Sequence, residues 1–111
     1  LEELTMGLVF QTANITNGQG FHIFTFDADI ISSQVFIKGF NVQYPSGDHH
    51  VAKIEVDTTQ IVMDPRRIKV QVIVTMTDNS GNHQDNSSSF VEVVVVAVLQ
   101  DQNNYLMVTE Y

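Results

Sequence analysis

The chain has 111 residues, 43% of them hydrophobic, with no Cys and no Trp. Thirteen acidic residues against five Lys plus Arg give a formal net charge of -8. So few cations cannot neutralise many phosphates, which argues against nucleic acid and anionic membrane surfaces as partners, and the lack of Cys excludes a disulfide framework and a Cys-based zinc site.

The length fits a single domain spanning 1–111. Near the start, Leu4, Met6, Leu8 and Phe10 alternate with Thr5, Gly7, Val9 and Gln11, which reads as a strand. Asn14–Gly20 (NITNGQG) has the Asn-Gly chemistry of a turn. Phe21–Phe26 is a short strand, and Asp27–Ser33 reads as a connection anchored by Ile30 and Ile31.

In Gln34–Tyr44 the apolar phase slips. Val35 and Ile37 lie on one parity, and Phe40, Val42 and Tyr44 on the other. A period-two strand keeps both sets on one face only if one residue is extra, so a bulge is predicted at Lys38-Gly39. Pro45-Ser46-Gly47-Asp48 is the next turn.

His49–Thr59 alternates cleanly, with Ala52, Ile54 and Val56 against Lys53, Glu55 and Asp57, so it has one wet face. A turn is expected at Met63–Arg66, then a strand over Arg67–Thr77 with Ile68, Val70, Val72, Val74 and Met76 on one side. Asp78–Ser89 is a polar loop. Phe90–Leu99 (FVEVVVVAVL) is the most apolar run of the chain. A turn at Asp101–Asn104 and a short strand over Tyr105–Thr109 complete the reading.

Turn signals about every ten residues, with no good helix, predict an all-β antiparallel β-sandwich of six to seven strands, jelly-roll-like in spacing. From Val93 onward the Phe90–Leu99 strand is apolar on both parities. The odd set Val91, Val93, Val95, Ala97 and Leu99 is the better core face, because the even set contains Glu92. Val94, Val96 and Val98 then face outward, with Ile73 as a candidate neighbour. Either the Leu4–Phe10 strand or a second subunit is expected to cover them. No run reaches the ~20 apolar residues of a membrane-spanning helix. Glu2 and Glu3 have the wrong charge for a signal peptide. The expectation is a soluble protein, with secreted or extracellular locations among those left open.

Candidate chemistry lies in two polar loops. Asp48-His49-His50 places three possible ligands in a row, but adjacent side chains of a strand point to opposite faces. In the second loop Asp78, Ser80 and Asn82 alternate as in the first half of a calcium loop, and Asp85 adds a carboxylate. This makes calcium the candidate cofactor. The loop departs from the full pattern, since Gly81 falls one place early and Ser89 occupies the twelfth position. A zinc site would need three of His22, His49, His50 and His83 to converge. Nothing resembles a nucleophile elbow, so the expectation is a protein that is not an enzyme. Asn14-Ile15-Thr16 and Asn86-Ser87-Ser88 match the glycosylation acceptor pattern.

Arg67–Thr77, a polar loop, and a β-branched strand ending Val95-Val96-Ala97 resemble the closing strands of the H-type lectin domain. The resemblance covers about Phe36–Leu99 and includes Asp57 near a strand end. Val96 stands where that family commonly carries Trp. The resemblance implies a six-stranded antiparallel sandwich, a homo-oligomer that is a trimer or hexamer, and binding of N-acetylgalactosamine-type glycans at subunit edges. Gly39-Phe40, Tyr44 and Gly47-Asp48-His49-His50 are also similar to a group of small bacterial proteins for which no function is implied.

Two functions are therefore expected from the sequence. One is a lectin-like oligomeric module whose ligand-binding residues are Tyr44, Asp48, His49, His50, Asn82 and His83. The other is a structural or assembly protein, such as a phage or particle component, in which the valine face is the function.

Overall fold

The computed structural model describes residues 5–101. The strand expected at Tyr105–Thr109 and most of the turn before it lie outside them. Six strands follow one another: β1 (Thr5–Thr16), β2 (Phe21–Thr25), β3 (Ile30–Asn41), β4 (Val51–Asp64), β5 (Arg67–Asp78) and β6 (Phe90–Asp101). They form two three-stranded antiparallel sheets, ordered β1-β6-β3 and β2-β5-β4, and the described residues contain no helix. The architecture is the expected all-β sandwich.

The core is built by the two central strands. On β6, Val91, Val93, Val95 and Ala97 are fully buried and Leu99 nearly so. On β5, Ile68, Val70, Val72, Val74 and Met76 are buried. Ile15 of β1 and Phe24 and Phe26 around β2 close the same core. Because side chains alternate along a strand, each buried set fixes its opposite set on an outer face. The odd set of β6 is therefore the core face, as its composition predicted.

The phase slip in β3 is a bulge. Ile37 lies opposite Val93 and Gly39 opposite Glu92, so Lys38 is the extra residue. Its amine sits 3.4 Å from Glu92 on the outer face. The bulge returns Phe40 to the parity of Ile37.

Four expected boundaries move. Strand β1 continues through Thr16, because Ile15 enters the core, so the turn is confined to Asn17–Gly20. Strand β3 begins at Ile30 rather than after Ser33. Ile30 pairs with Leu99 and packs against the core, whereas Ile31 is the extra residue of a second bulge and is exposed. Strand β4 starts at Val51, because His49 turns back into the preceding loop. It then continues to Asp64, which leaves only Pro65 and Arg66 as the turn into β5.

The two layers are tied together at both seams. Gln11 donates to the Thr25 carbonyl at 2.9 Å, joining β1 to β2. Ser33 donates to the Gln60 side chain at 2.8 Å, and Gln60 returns a bond to the Ser33 carbonyl at 3.2 Å, joining β3 to β4.

Strand β2 is too short to cover β5. It pairs only with Arg67–Gln71, yet β5 continues to Asp78. Buried backbone groups left unpaired would be costly. The chain supplies substitutes from its loops. Val72 N–H donates to the Gly20 carbonyl. The Asn17 amide then pairs with Val74 as a backbone would, accepting from its N–H and donating to its carbonyl, both at 3.1 Å. The Gln84 amide accepts from Met76 N–H at 2.8 Å and donates to the Val74 carbonyl at 2.8 Å. Asn86 Oδ1 accepts from both amides and links them.

Candidate functional site

The loop after β3 and the loop after β5 meet at one end of the sandwich. Val51, the first residue of β4, lies opposite Asp78, the last of β5, which brings the loop ahead of β4 beside the loop that follows Asp78. Gly47, at φ +86°, makes the reversal inside the first loop, a conformation that other residues adopt only with strain. His49 is thereby turned inward. Its Nδ1 lies 2.6 Å from Asp78 Oδ2 and its Nε2 lies 2.7 Å from the Ser46 carbonyl. Its ring stacks on Tyr44, with centroids 4.0 Å apart and an interplanar angle of 18°.

Asp78 is buried and fully used. Oδ1 accepts from the N–H groups of Ser80 and Asn82 at 2.9 and 2.8 Å. Oδ2 accepts from the Asn82 amide at 2.9 Å and from His49. The His49 contact, with the Asn82 bonds behind it, holds the Asp78 carboxyl well below the usual carboxylate range. The hydrogen bond to Asp78, with the Ser46 carbonyl second, raises the His49 pKa above its ordinary value. Burial, and then the Asp78 charge, raises that of Tyr44, whose hydroxyl is buried without a partner among the described residues.

These contacts decide the charge state of His49. A carbonyl and an ionised carboxylate both only accept, so this geometry favours the imidazolium, in which both ring nitrogens donate. In that state the ring has no lone pair with which to take a proton or bind a metal. The His49–Asp78 pair is a clamp between two loops.

The candidate residues thus divide. Tyr44, His49, Asp78 and Asn82 form one chain of contacts. Asp48, His50 and His83 are exposed, with His83 bridged to Thr77 through the backbone. Ser80 contributes its backbone N–H to Asp78. Asp85 caps a separate turn, where its Oδ1 accepts from the Ser87 hydroxyl at 2.8 Å and the Ser87 N–H at 3.1 Å. The hydroxyl contact, foremost among these bonds, lowers its pKa. Among the described residues, no three His, Asp or Glu side chains gather where they could hold an ion. His22 lies on β2, edge-on to Phe24 at 4.6 Å.

At the opposite end Arg66 and Arg67 line a shallow open depression. Arg66 is paired with Asp29 at 3.1 Å, and Arg67 with Asp64 at 2.6 Å. The Arg67 contact, with the backbone N–H of Arg66 second, lowers the Asp64 pKa.

A different feature dominates the surface. On the outer face of β1-β6-β3, Leu8, Phe10 and Phe36 are 60%, 62% and 55% exposed. They surround the half-buried Val94, Val96 and Val98. Strand β1 does not cover the valines, as one expectation had it. It lies beside β6 and adds two large side chains to the same face. Ile73 is on the other sheet, opposite Asp57. The sequence pointed to the valines through their alternation, but gave no sign of which strands would flank them.

No protein-family model, curated protein or solved structure matches the chain.

Proposed function

We propose that this protein is a non-enzymatic module that works as a homo-oligomer, assembled through the outer face of β1-β6-β3. The observation that carries this reading is the exposed apolar set Leu8, Phe10 and Phe36 around the β6 valines. Scattered surface leucines are ordinary, but a contiguous apolar patch that includes two exposed phenylalanines suits a contact surface. Burying each large side chain contributes about 1.5–3 kcal/mol, which offsets much of the cost of association. The engaged state of His49 and Asp78 supports a scaffold over an active site, since neither has a free lone pair aimed outward. Sedimentation should give an oligomer at micromolar concentration. Val96→Glu should be a folded monomer with an unchanged strand spectrum. A wild-type chain that sediments as a strict monomer overturns the reading.

A second reading concerns what such an oligomer displays. Exposed Asp48, His50, Asn82 and His83 lie on loops tied together by the Tyr44–His49–Asp78 clamp. A rigid base with polar groups around it suits weak hydrogen bonding to sugar hydroxyls, strengthened by several copies acting together. A glycan array with the wild type and with Asn82→Ala/His83→Ala tests it. Binding that the double variant loses supports carbohydrate recognition, and a blank array with an intact oligomer leaves assembly as the function.

A further inference from the structure

The turn between β1 and β2 carries the pair Asn17-Gly18. Such a pair is chemically labile. The backbone nitrogen that follows an Asn can attack its side-chain carbonyl carbon, and a following Gly, with no Cβ, hinders that approach least. Here the same Asn seals the edge of β5 beyond Gln71, where β2 has ended. The fold uses the amide but does not impose the glycine. Among the described residues positive φ occurs at Gly20, Gly47 and Gly81, not at Gly18. A Cβ added to Gly18 would lie 3.7 Å from the Asn86 carbonyl oxygen, an ordinary contact.

We propose that Asn17-Gly18 is a site of spontaneous deamidation, held shut by the bonds that seal β5, and that its product releases β5 beyond Gln71. In the reaction the Gly18 nitrogen gives its proton to a solvent base and bonds to Asn17 Cγ. The Cγ–Nδ2 bond breaks, the departing amide takes up a proton and leaves as ammonia, and a five-membered succinimide closes. Water then opens the ring at either carbonyl. One opening leaves an aspartyl residue, and the other an isoaspartyl link that runs through Cβ and Cγ. Water is the only co-reactant, and nothing is oxidised or reduced.

The native bonds oppose each requirement of the first step. The Asn17 carbonyl oxygen accepts from Val74 N–H at 3.1 Å, and its Nδ2 donates to the Val74 carbonyl at 3.1 Å and to Asn86 Oδ1 at 2.6 Å. These three bonds hold Cγ toward β5. The Gly18 N–H, whose proton must leave, donates to the Asn86 carbonyl at 3.1 Å. The pair reacts only when this end of the sandwich opens locally.

The product does not fit back. A carboxylate only accepts. It keeps Val74 N–H, but it has no proton for the Val74 carbonyl or for Asn86 Oδ1, and it sets a charge against both oxygens. The isoaspartyl form also lengthens the backbone by a methylene just ahead of Gly18 and Gly20. Their bonds to the Asn86 carbonyl and from Val72 N–H, at 3.1 and 2.9 Å, depend on the turn's register. Opening permits the reaction, and the reaction favours opening, so the change runs one way.

The test incubates the full chain in mildly alkaline buffer, native and in denaturing urea, and reads the amide-to-acid mass change at each Asn by peptide mapping. In urea Asn17 should convert ahead of Asn79, Asn82 and Asn86, none of which precedes Gly. In the native chain its rate should fall by on the order of 100-fold, as expected when several hydrogen bonds must open together. Gly18→Ala should fold normally by circular dichroism and slow the reaction in urea. Gln84→Ala removes a second tether of Asn86 without touching the reacting pair. That variant, and the intact chain in urea below its unfolding transition, should each speed the native reaction. In the purified acidic product, amide hydrogen exchange at Val72 and Val74 should quicken while that at Val93 and Val95 holds. Conversion in urea no faster at Asn17 than at the other three overturns the site. A native rate equal to that in urea, or one that neither loosening changes, overturns the gate. Unchanged exchange at Val74 in the product overturns the release.

Discussion

Strands β5 and β6 are the central strands of their sheets, with alternating buried sets that interlock in one core. Their outer sides are unlike. Opposite the core, β6 presents Val94, Val96 and Val98, flanked by Leu8, Phe10 and Phe36. Strand β5 presents Lys69, Gln71, Thr75 and Thr77, flanked by Lys53, Glu55, Asp57 and Thr59. Ile73 is the apolar residue of β5 on that second face, and Ile61, Phe21 and Ile23 lie at one end of it beside Lys69 and Gln71. Lys53 is paired with Glu55 at 3.6 Å, and Lys69 lies 4.6 Å over the Phe21 ring. The edges differ in the opposite sense. Strand β6 is paired on both sides along most of its length, whereas the upper half of β5 is sealed by side-chain amides. One sheet pairs its central strand on both sides and is apolar outside, and the other leaves part of its central strand to side-chain amides and is mostly polar outside. A sandwich needs only its inner faces to be apolar, so the fold itself does not require the apolar outer face, and the proposed self-contact would account for it.

The largest difference is expected when the same charge is placed on neighbouring residues of β6. Val95→Glu puts an unpaired carboxylate in the core and should unfold the protein, at a cost of several kcal/mol. Val96→Glu should leave it folded and only dissociate it. Circular dichroism and sedimentation on the two variants separate core from contact face. On β5, Ile68→Ala should cost about 2–5 kcal/mol in urea unfolding. Ile73→Ala, at a residue 63% exposed, should stay within about 0.5 kcal/mol.

A smaller effect should come from the amide seal. Asn17→Ala strips the partner from the N–H of Val74 and leaves its carbonyl to the Gln84 amide alone. It should cost about 1–3 kcal/mol, with faster amide hydrogen exchange at Val74 and Met76 than anywhere on β6. Unchanged protection at Val74 would mean that the seal does not hold the strand.

The His49–Asp78 clamp makes stability depend on pH. The folded pKa of His49 is raised above 6.5, so its contribution is complete below about pH 6.5 and is lost as pH rises through the folded value. That of Asp78 is lowered from 3.8, so its contribution is present above about pH 4 and is lost as pH falls. The gap in melting temperature between wild type and His49→Gln should be widest between about pH 4 and 6.5 and should narrow on the alkaline side. A gap that does not vary with pH would contradict an imidazolium at this position. The smallest effect belongs to the wet face, where Lys53→Ala should change stability by less than about 1 kcal/mol, since both partners of that pair are exposed.

Much of this was legible in the residues. Alternation alone determined that the chain is all-β and that the odd residues of Phe90–Leu99 face the core. It also located the bulge at Lys38-Gly39, because a strand has one period and a slip must be absorbed near where the parity changes; the register then showed Lys38 to be the extra residue. Alternation is a property of neighbours in sequence, so it survives without a structure. It did not reveal that β1 would lie beside β6, that Ile73 belongs to the other sheet, or that His49 would turn from its strand to meet Asp78. Nor did it give a role to Asn17 and Gln84, which read as ordinary turn and loop residues. Those facts depend on which strands become neighbours, and that is decided by the fit of one core between two sheets. Only once β2 falls short of β5 is there an open edge for the amides to fill, and only once β1 and β3 flank β6 do three valines become a face.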